Sequence, residues 1–284
     1  MRTIGVIGGS GLYEMEGLTA IERKKVDTPF GAPSDEYVMG RLGDARMVFL
    51  PRHGRGHRIA PHEINFRANL YGMKSLGVEW IISISAVGSM QEHIRPGDMV
   101  IVDQFYDRTK TRAATFFGEG VVGHVAFADP ICKNLAKVLG DASEKVGART
   151  HRGGTYLCIE GPQFSTRAES RIYRQWGVEV IGMTNLTEAK LAREAEICYS
   201  TVALATDYDC WHEGEEDVTV DAVIATVKKN VENAKAIIRE AAGHIPAERK
   251  CGCPRAAENA IMTDRAAIPP AARERLQLLF GKYL

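Results

Sequence analysis

Residues 3–12 read Thr-Ile-Gly-Val-Ile-Gly-Gly-Ser-Gly-Leu, a short apolar run that ends in a group of glycines. The run predicts a buried β-strand over 3–7 that leads into a glycine-rich turn. Glycines let backbone N–H groups approach an anion closely, and Ser10 adds a hydroxyl. A dinucleotide fingerprint would need a third glycine where Glu14 stands, so nicotinamide binding is disfavoured. A plain tight turn is the other alternative.

The rest of the chain repeats this succession of an apolar run and a polar or glycine-rich turn. Apolar runs predict strands over 47–50, 80–84, 99–102, 155–159, 178–181 and 197–206. Helical spacing predicts helices over 61–76, 129–139, 186–194, 219–242 and 273–280. Alternating strands and helices predict an α/β fold, a single three-layer domain with a central mixed, largely parallel β-sheet flanked by helices. This domain spans 1–284, with 246–284 as a C-terminal surface excursion and a final helix.

Charge and hydropathy exclude several classes of protein. Lys plus Arg and Asp plus Glu both number 36, whereas nucleic-acid and membrane-surface proteins need a basic excess. No stretch approaches the roughly 20 apolar residues that span a bilayer. The N-terminal stretch has no small-residue cleavage site, so we expect a cytoplasmic protein.

Polar groups follow several predicted strands, at the edge where open α/β sheets bind ligands. The basic loop 51–58 contains Arg52, which can hold a phosphate through two parallel hydrogen bonds, and His53, which can add a third donor. A metal on His53 and His57 is disfavoured because two glycines break the helix that this spacing needs. A solvated basic loop stays open as an alternative.

Two hydroxyl residues, Ser85 and Thr184, each end an apolar run. Alone, such residues usually cap a turn. Together with Ser10 and Arg52 they would surround one phosphate, although no Walker pattern is present.

Two carboxylates follow the last predicted strand, in the sequence Asp207-Tyr-Asp209. Strand alternation would place both on one side, where their charges couple and one pKa should rise. A protonated carboxyl can donate its proton to a leaving nitrogen. The alternatives are a solvated loop and a metal site, and the metal site lacks further ligands of suitable spacing nearby.

Six cysteines are too sparse for a disulfide scaffold. Cys251-Gly-Cys253 is compatible with a disulfide-type pair or with half of a metal site. With no second cysteine pair close by, zinc is disfavoured, and a redox-inert surface pair is expected in a reducing cytosol.

Seven stretches together carry a family resemblance: Val6-Ile-Gly-Gly-Ser-Gly-Leu12, Thr28-Pro-Phe-Gly-Ala-Pro-Ser34, Pro51-Arg-His-Gly-Arg55, Ser85-Ala-Val-Gly-Ser89, Arg95-Pro-Gly-Asp98, Glu160-Gly-Pro-Gln-Phe164 and Ala205-Thr-Asp-Tyr-Asp-Cys-Trp211. In this order they resemble the 5'-methylthioadenosine phosphorylases, in the trimeric branch of the purine nucleoside phosphorylases. The resemblance implies phosphorolysis of 5'-methylthioadenosine, with inorganic phosphate as co-substrate, no cofactor and no metal. It also implies a homotrimer, or a dimer of trimers.

The resemblance assigns roles to individual residues. The phosphate would be surrounded by Ser10, Arg52, His53, Ser85 and Thr184. The catalytic pair would be Asp207, facing purine N7, and Asp209, near the 6-amino group. The nucleoside would meet Ala86 at the sugar, Met183 at the ribose hydroxyls through its backbone, Phe164 against the purine and His124 from a neighbouring subunit. The methylthio group would meet an apolar wall of Val218, Val220, Val223 and Ile224.

The expected chemistry agrees with these roles. Phosphate attacks C1' while the bond to N9 breaks, and its negative charge stabilises the oxocarbenium-like sugar. The adenine leaves more easily when Asp207 protonates N7. A thioether cannot accept strong hydrogen bonds, so its site should be apolar.

Three alternatives stay open at this point. Relatives that act on 6-oxopurines typically have Asn in the Asp-Tyr-Asp run, so adenine is favoured over hypoxanthine. An NAD-dependent oxidoreductase and a nucleoside-binding protein without activity are the other two. Some thermostable relatives carry disulfides, which suggests bridges among Cys132, Cys198, Cys251 and Cys253 as a hypothesis.

Overall fold

The computed structural model describes residues 2–9, 11–212 and 220–284, without the side chains of 220–229, and the described residues form eleven strands and six α-helices. The strands are β1 (Thr3–Gly8), β2 (Thr19–Lys24), β3 (Tyr37–Leu42), β4 (Ala45–Pro51), β5 (Trp80–Ser89), β6 (Met99–Ile101), β7 (Gln104–Arg108), β8 (Thr150–Arg152), β9 (Thr155–Ile159), β10 (Val180–Gly182) and β11 (Cys198–Asp207). The helices are α1 (Phe66–Ser75), α2 (Lys133–Lys145), α3 (Arg167–Gln175), α4 (Asn185–Glu194), α5 (Val220–His244) and α6 (Pro270–Phe280).

All the strands belong to one mixed sheet, as predicted. Four neighbours, β4, β1, β5 and β11, run parallel to one another, so their carboxyl ends meet at the same edge. Strand β10 runs antiparallel to β5, so it begins opposite Ser89 at the carboxyl end of β5 and runs back along that strand. The sheet therefore brings together the strand ends on which the predicted site residues lie.

Helices cover both faces of the sheet and give the predicted three layers. Trp80, Ile82 and Ile84 of β5 pack in a core with α2 and α5, whereas Ile81 packs on the opposite face with α1, α4 and α6. Successive side chains of a strand point to opposite faces, so one apolar run supplies both cores.

Several elements were absent from the prediction because their sequences carry no apolar run. Strand β2 reads TAIERK and is exposed along its length, and β7 reads QFYDR with four of five residues exposed. Helix α3 reads RAESRIYRQ and buries only Ser170 and Tyr173. Its N-terminal Thr166–Glu169 pair forms a capping box, a pattern that could have identified it.

The segment 246–284 is only partly the surface excursion that was predicted. Ala257, Ala260 and Ile268 are buried, and Leu276 and Phe280 of α6 lie in the same core as α1. Small and aliphatic residues spaced among prolines and charges do not show a period that reveals this burial. Across the described portions of the chain, none of the helices combines the length and apolarity needed to cross a membrane.

Candidate active site

Arg52 follows β4 and lies at the carboxyl edge of the sheet, 4 % exposed. Its Nε and Nη2 donate to the two carboxylate oxygens of Glu188 at 2.5 and 3.2 Å. Nη2 also donates to Ser83 Oγ at 2.7 Å, and Nη1 donates to the carbonyl of Ile84 at 2.9 Å. The Nε and Nη2 edge of the guanidinium therefore binds Glu188. The expectation that Arg52 holds phosphate through two parallel hydrogen bonds is wrong for this conformation. These bonds leave the second N–H of Nη1 for an anion.

His53 lies beside Arg52 and stacks on His57 with ring centroids 4.2 Å apart. Its Nδ1 lies 2.8 Å from the carbonyl of Ile59, so this nitrogen carries the hydrogen. Burial and the positive charge of Arg52 lower the pKa of His53 to about 4. At neutral pH the ring is therefore neutral, with Nε2 unprotonated, and its expected donor role toward phosphate stays a prediction.

Ser85 and Thr184 come together through a buried tyrosine that the sequence did not single out. Ser85 Oγ and the backbone N–H of Thr184 lie 3.4 and 3.5 Å from the hydroxyl of Tyr156. The prediction that Ser85 ends its strand is wrong, since β5 continues to Ser89 and pairs there with β10. This pairing is what carries Thr184 back toward Ser85.

Asp207 ends β11 beside a break in its pairing with β5. The register shifts between Ala205 and Asp207, so that Asp207 lies opposite Gly88. Thr206 Oγ1 donates to Asp207 Oδ2 at 2.6 Å, and the backbone N–H of Asp209 donates to Oδ1 at 2.9 Å. A Cβ at Gly88 would lie 3.0 Å from Oδ1, so a larger residue there would push this carboxylate aside by a few tenths of an ångström. Register shifts of this kind re-aim side chains next to functional sites.

Asp209 is not on the strand, so the argument from alternation is wrong for it. It begins a short 3₁₀ turn over Asp209–Trp211 with φ of +53°, a left-handed conformation that Asp tolerates better than most residues. Ser170 of α3 donates to its carboxylate. Burial raises the pKa of Asp209, the Ser170 hydrogen bond lowers it, and the charge of Asp207 raises it further, with a net rise. The predicted rise of one pKa is thus found, and it falls on Asp209.

The structure describes the surroundings of four residues that were predicted to contact the nucleoside. Ala86 is exposed within the otherwise buried middle of β5. Phe164 is 53 % exposed, which leaves its ring available to a planar ligand. The carbonyl of Met183 accepts a hydrogen bond from Arg112 Nη1 at 2.5 Å. His124 is exposed, and its backbone N–H donates to the carbonyl of Ala260 at 2.8 Å.

Some of the predicted site residues cannot be placed. Ser10 and Val218 lie outside the described residues. Val220, Val223 and Ile224 fall at the start of α5, where the side chains are not described. The roles expected for these five residues, like the ligand contacts expected for the other site residues, stay predictions.

Three residues that position the site were not predicted. Glu188 lies on the same helix face as Leu191 and Ala192, so an acid on the apolar face of α4 was the signal that could have found it. Arg112 bonds the carbonyls of Met183 and Glu160, at 2.5 and 2.7 Å, and holds two site loops together. No sequence pattern indicates Arg112, and Ser170 belongs to the polar helix α3 that the prediction lacked.

Comparison with known proteins shows the family of this chain. The family model of the phosphorylase superfamily matches residues 3–242. The chain belongs to the phosphorylase superfamily. The S-methyl-5'-thioadenosine phosphorylase of Geobacter sulfurreducens is 64 % identical, over 100 % of this chain and 99 % of that protein. The corresponding protein of Koribacter versatilis is 58 % identical, over 99 % of this chain and 96 % of its own.

Solved structures of this superfamily share its fold. A methylthioadenosine phosphorylase from an antarctic soil metagenomic library has a TM-score of 0.94 at 48 % identity, covering 98 % of both chains. A variant of the Schistosoma mansoni adenosine/methylthioadenosine phosphorylase, in complex with methylthioadenosine, has a TM-score of 0.85 at 36 % identity, covering 91 % of this chain and 96 % of its own. The expected fold and family are confirmed.

Proposed function

We propose that this phosphorylase uses inorganic phosphate to convert 5'-methylthioadenosine into adenine and 5-methylthioribose 1-phosphate. The names of the similar proteins support this substrate. The observation that carries the proposal is the arrangement along β5. Ser85 lies near Thr184, Gly88 lies against Asp207, and the exposed Ala86 lies between them. Three residues of a strand span about 10 Å, enough for a ribose between an anion and an acid.

The phosphate site would lie where β1, β4 and β5 end. Arg52 offers one free N–H of Nη1, and its charge is balanced by Glu188. His53 lies beside Arg52 and would contact the phosphate. Because the Arg52–Glu188 pair has no net charge, we expect much of the binding to come from hydrogen bonds of Ser10, Ser85 and Thr184.

Protonation of the leaving purine would depend on the two aspartates. As phosphate oxygen attacks C1', the C1'–N9 bond breaks and the purine takes a proton at N7. We assign Asp207 to N7, with Asp209 beside the 6-amino group, where burial raises the pKa of the Asp209 carboxyl above its usual value. An amine can donate to either carboxylate oxygen, which favours adenine over a 6-oxopurine.

The reaction needs no cofactor in this proposal, and inorganic phosphate is its second substrate. We also propose a homotrimer in which His124 reaches a neighbouring active site. Beside His124, the backbone N–H of Met262 donates to the carbonyl of Val122 at 2.9 Å. The side chains of these two residues are 68 and 53 % exposed, and they form an apolar surface suited to a subunit contact. Light scattering should then give three times the 31.2 kDa chain mass. A cytoplasmic setting fits the six free cysteines.

The test is adenine release from methylthioadenosine, adenosine and inosine, with and without phosphate. We expect phosphate-dependent turnover that is fastest with methylthioadenosine. Asp207→Asn should lower kcat by about 100-fold or more, since acid catalysis contributes on this scale. Asp141→Asn, on the exposed face of α2, is the matched control and should keep full activity. Preference for inosine, or full activity of Asp207→Asn, would contradict the proposal.

A further inference from the structure

Four cysteines from three separate parts of the chain meet in one place. We call them the cysteine cluster: Cys132, Cys198, Cys251 and Cys253. Their four Sγ atoms all lie within 4.8 Å of one another, and three of the residues are buried. The expectation that Cys251 and Cys253 have no second pair nearby is therefore wrong. Cys132 and Cys198, distant in sequence, supply that pair.

The fold brings these thiols together through two elements of the core. Cys132 immediately precedes α2, and its backbone N–H donates to the carbonyl of Tyr199 at 2.9 Å. Cys198 is the first residue of β11. The Cys251-Gly-Cys253 segment packs over both, with Cys251 Sγ 3.4 Å from Cys198 Sγ and 3.9 Å from Cys132 Sγ.

These distances fit a shared metal ion better than disulfide bonds. All six cysteines are free, and the sulfur pairs above exceed the roughly 2.05 Å of a disulfide. A tetrahedral zinc ion with Zn–S bonds of about 2.3 Å holds its sulfurs about 3.8 Å apart. The observed separations of 3.4 and 3.9 Å bracket this value.

We infer that the cysteine cluster binds one zinc ion through four thiolates. Each thiol releases its proton to solvent on binding, and no redox change is involved. Four protein ligands fill the tetrahedral shell, so the ion has no open position for a substrate. The site is also remote from the chemistry, because Cys198 and Asp207 lie at opposite ends of β11, about 30 Å apart.

The role of such an ion is to attach the C-terminal segment to the core. The segment that follows Cys253 supplies Ala257, Ile268 and α6 to the core on the α1 face. Cross-linking Cys251 and Cys253 to the starts of α2 and β11 fixes the beginning of this segment. Removal of the ion should therefore lower the melting temperature while leaving kcat unchanged at 25 °C.

The test is the metal content of the whole protein, expressed with zinc in the medium and freed of loosely bound metal. We expect one zinc per chain, lost in the Cys251→Ser/Cys253→Ser variant. Cys158→Ala, at a buried cysteine of β9 outside the cluster, is the matched control and should keep one zinc. Replacement of zinc by cobalt in the unaltered protein should give the absorption of a tetrahedral cobalt–thiolate centre, a readout that requires no variant to fold.

A thiol count in denaturant with chelator and without reductant separates the alternatives. Six free thiols released together with one zinc support the inference. Six free thiols without metal would show that the cluster holds only thiols, and fewer than six would show disulfides. Either of these results overturns the inference, as does retention of zinc by the double variant. None of these outcomes depends on which nucleoside the enzyme cleaves.

Discussion

Glu188→Gln should strongly destabilise the protein, because it leaves the buried guanidinium of Arg52 without its counter-charge. Arg52 and Glu188 are 4 and 1 % exposed and are joined by two hydrogen bonds. Glu188 Oε2 also accepts from Ser83 Oγ and Tyr199 OH, each at 2.8 Å. Glutamine keeps the shape but offers one acceptor oxygen and no charge. Breaking a buried pair in this way costs about 3–5 kcal/mol.

The assay is urea denaturation at pH 7, comparing the free energy of unfolding of the variant and the unaltered protein. Lys137→Gln is the control, since Lys137 and its partner Asp141 are 73 and 50 % exposed, and exposed pairs contribute about 1 kcal/mol or less. A loss below about 1 kcal/mol for Glu188→Gln would refute the reasoning, because it would mean that Arg52 is not desolvated in solution.

Phosphate gives the same variant a second readout. If Arg52 faces the anion site, phosphate can replace the missing carboxylate charge. Phosphate should then raise the urea midpoint of Glu188→Gln more than that of the unaltered protein, because a ligand that binds only the folded state stabilises it. An equal shift in both proteins would place Arg52 away from the phosphate.

Three further predictions concern residues around the site. Gly88→Ala should lower kcat by about 10-fold, because its Cβ would lie 3.0 Å from Asp207 Oδ1 and push the carboxylate aside by a few tenths of an ångström. Ser170→Ala should move the basic limb of the kcat/KM profile to higher pH, because loss of the Ser170 hydroxyl lets the pKa of Asp209 rise further. His53→Gln should reduce the loss of stability between pH 6.5 and 4 by up to about 3 kcal/mol. In this range the unfolded protein protonates His53, whereas the folded protein, with its pKa near 4, does not.

Each of these has a direct check. Gly243→Ala, where an added Cβ meets nothing within 4 Å, should keep full kcat, and an unaffected Gly88→Ala enzyme would contradict the placement of Asp207. An unchanged or acid-shifted limb in Ser170→Ala would show that Asp209 does not carry the titrating proton. For His53→Gln, urea midpoints at pH 7 and pH 4 that change as in the unaltered protein would show that His53 titrates normally in the folded state.

Local sequence determined the framework of this protein. The apolar runs at Thr3–Gly8, Thr155–Ile159 and Cys198–Asp207 are strands within a residue or two of their predicted bounds. Short runs of strand-forming apolar residues, flanked by glycine and polar residues, bury their side chains most readily as strands. Their secondary structure and their order along the chain therefore follow from the local sequence. Since β4, β1, β5 and β11 are parallel, the polar residues at their ends meet at one edge, as the prediction required.

Tertiary structure alone decided the partners and the charge states of those residues. Arg52 binds Glu188, which lies 136 positions away in the chain. Asp209 has its raised pKa because packing buries its carboxyl and places it near the charge of Asp207. The cysteine cluster likewise joins residues up to 121 positions apart in the chain. Burial and hydrogen bonding act through space between elements that are remote in sequence, so no local pattern of residues encodes them.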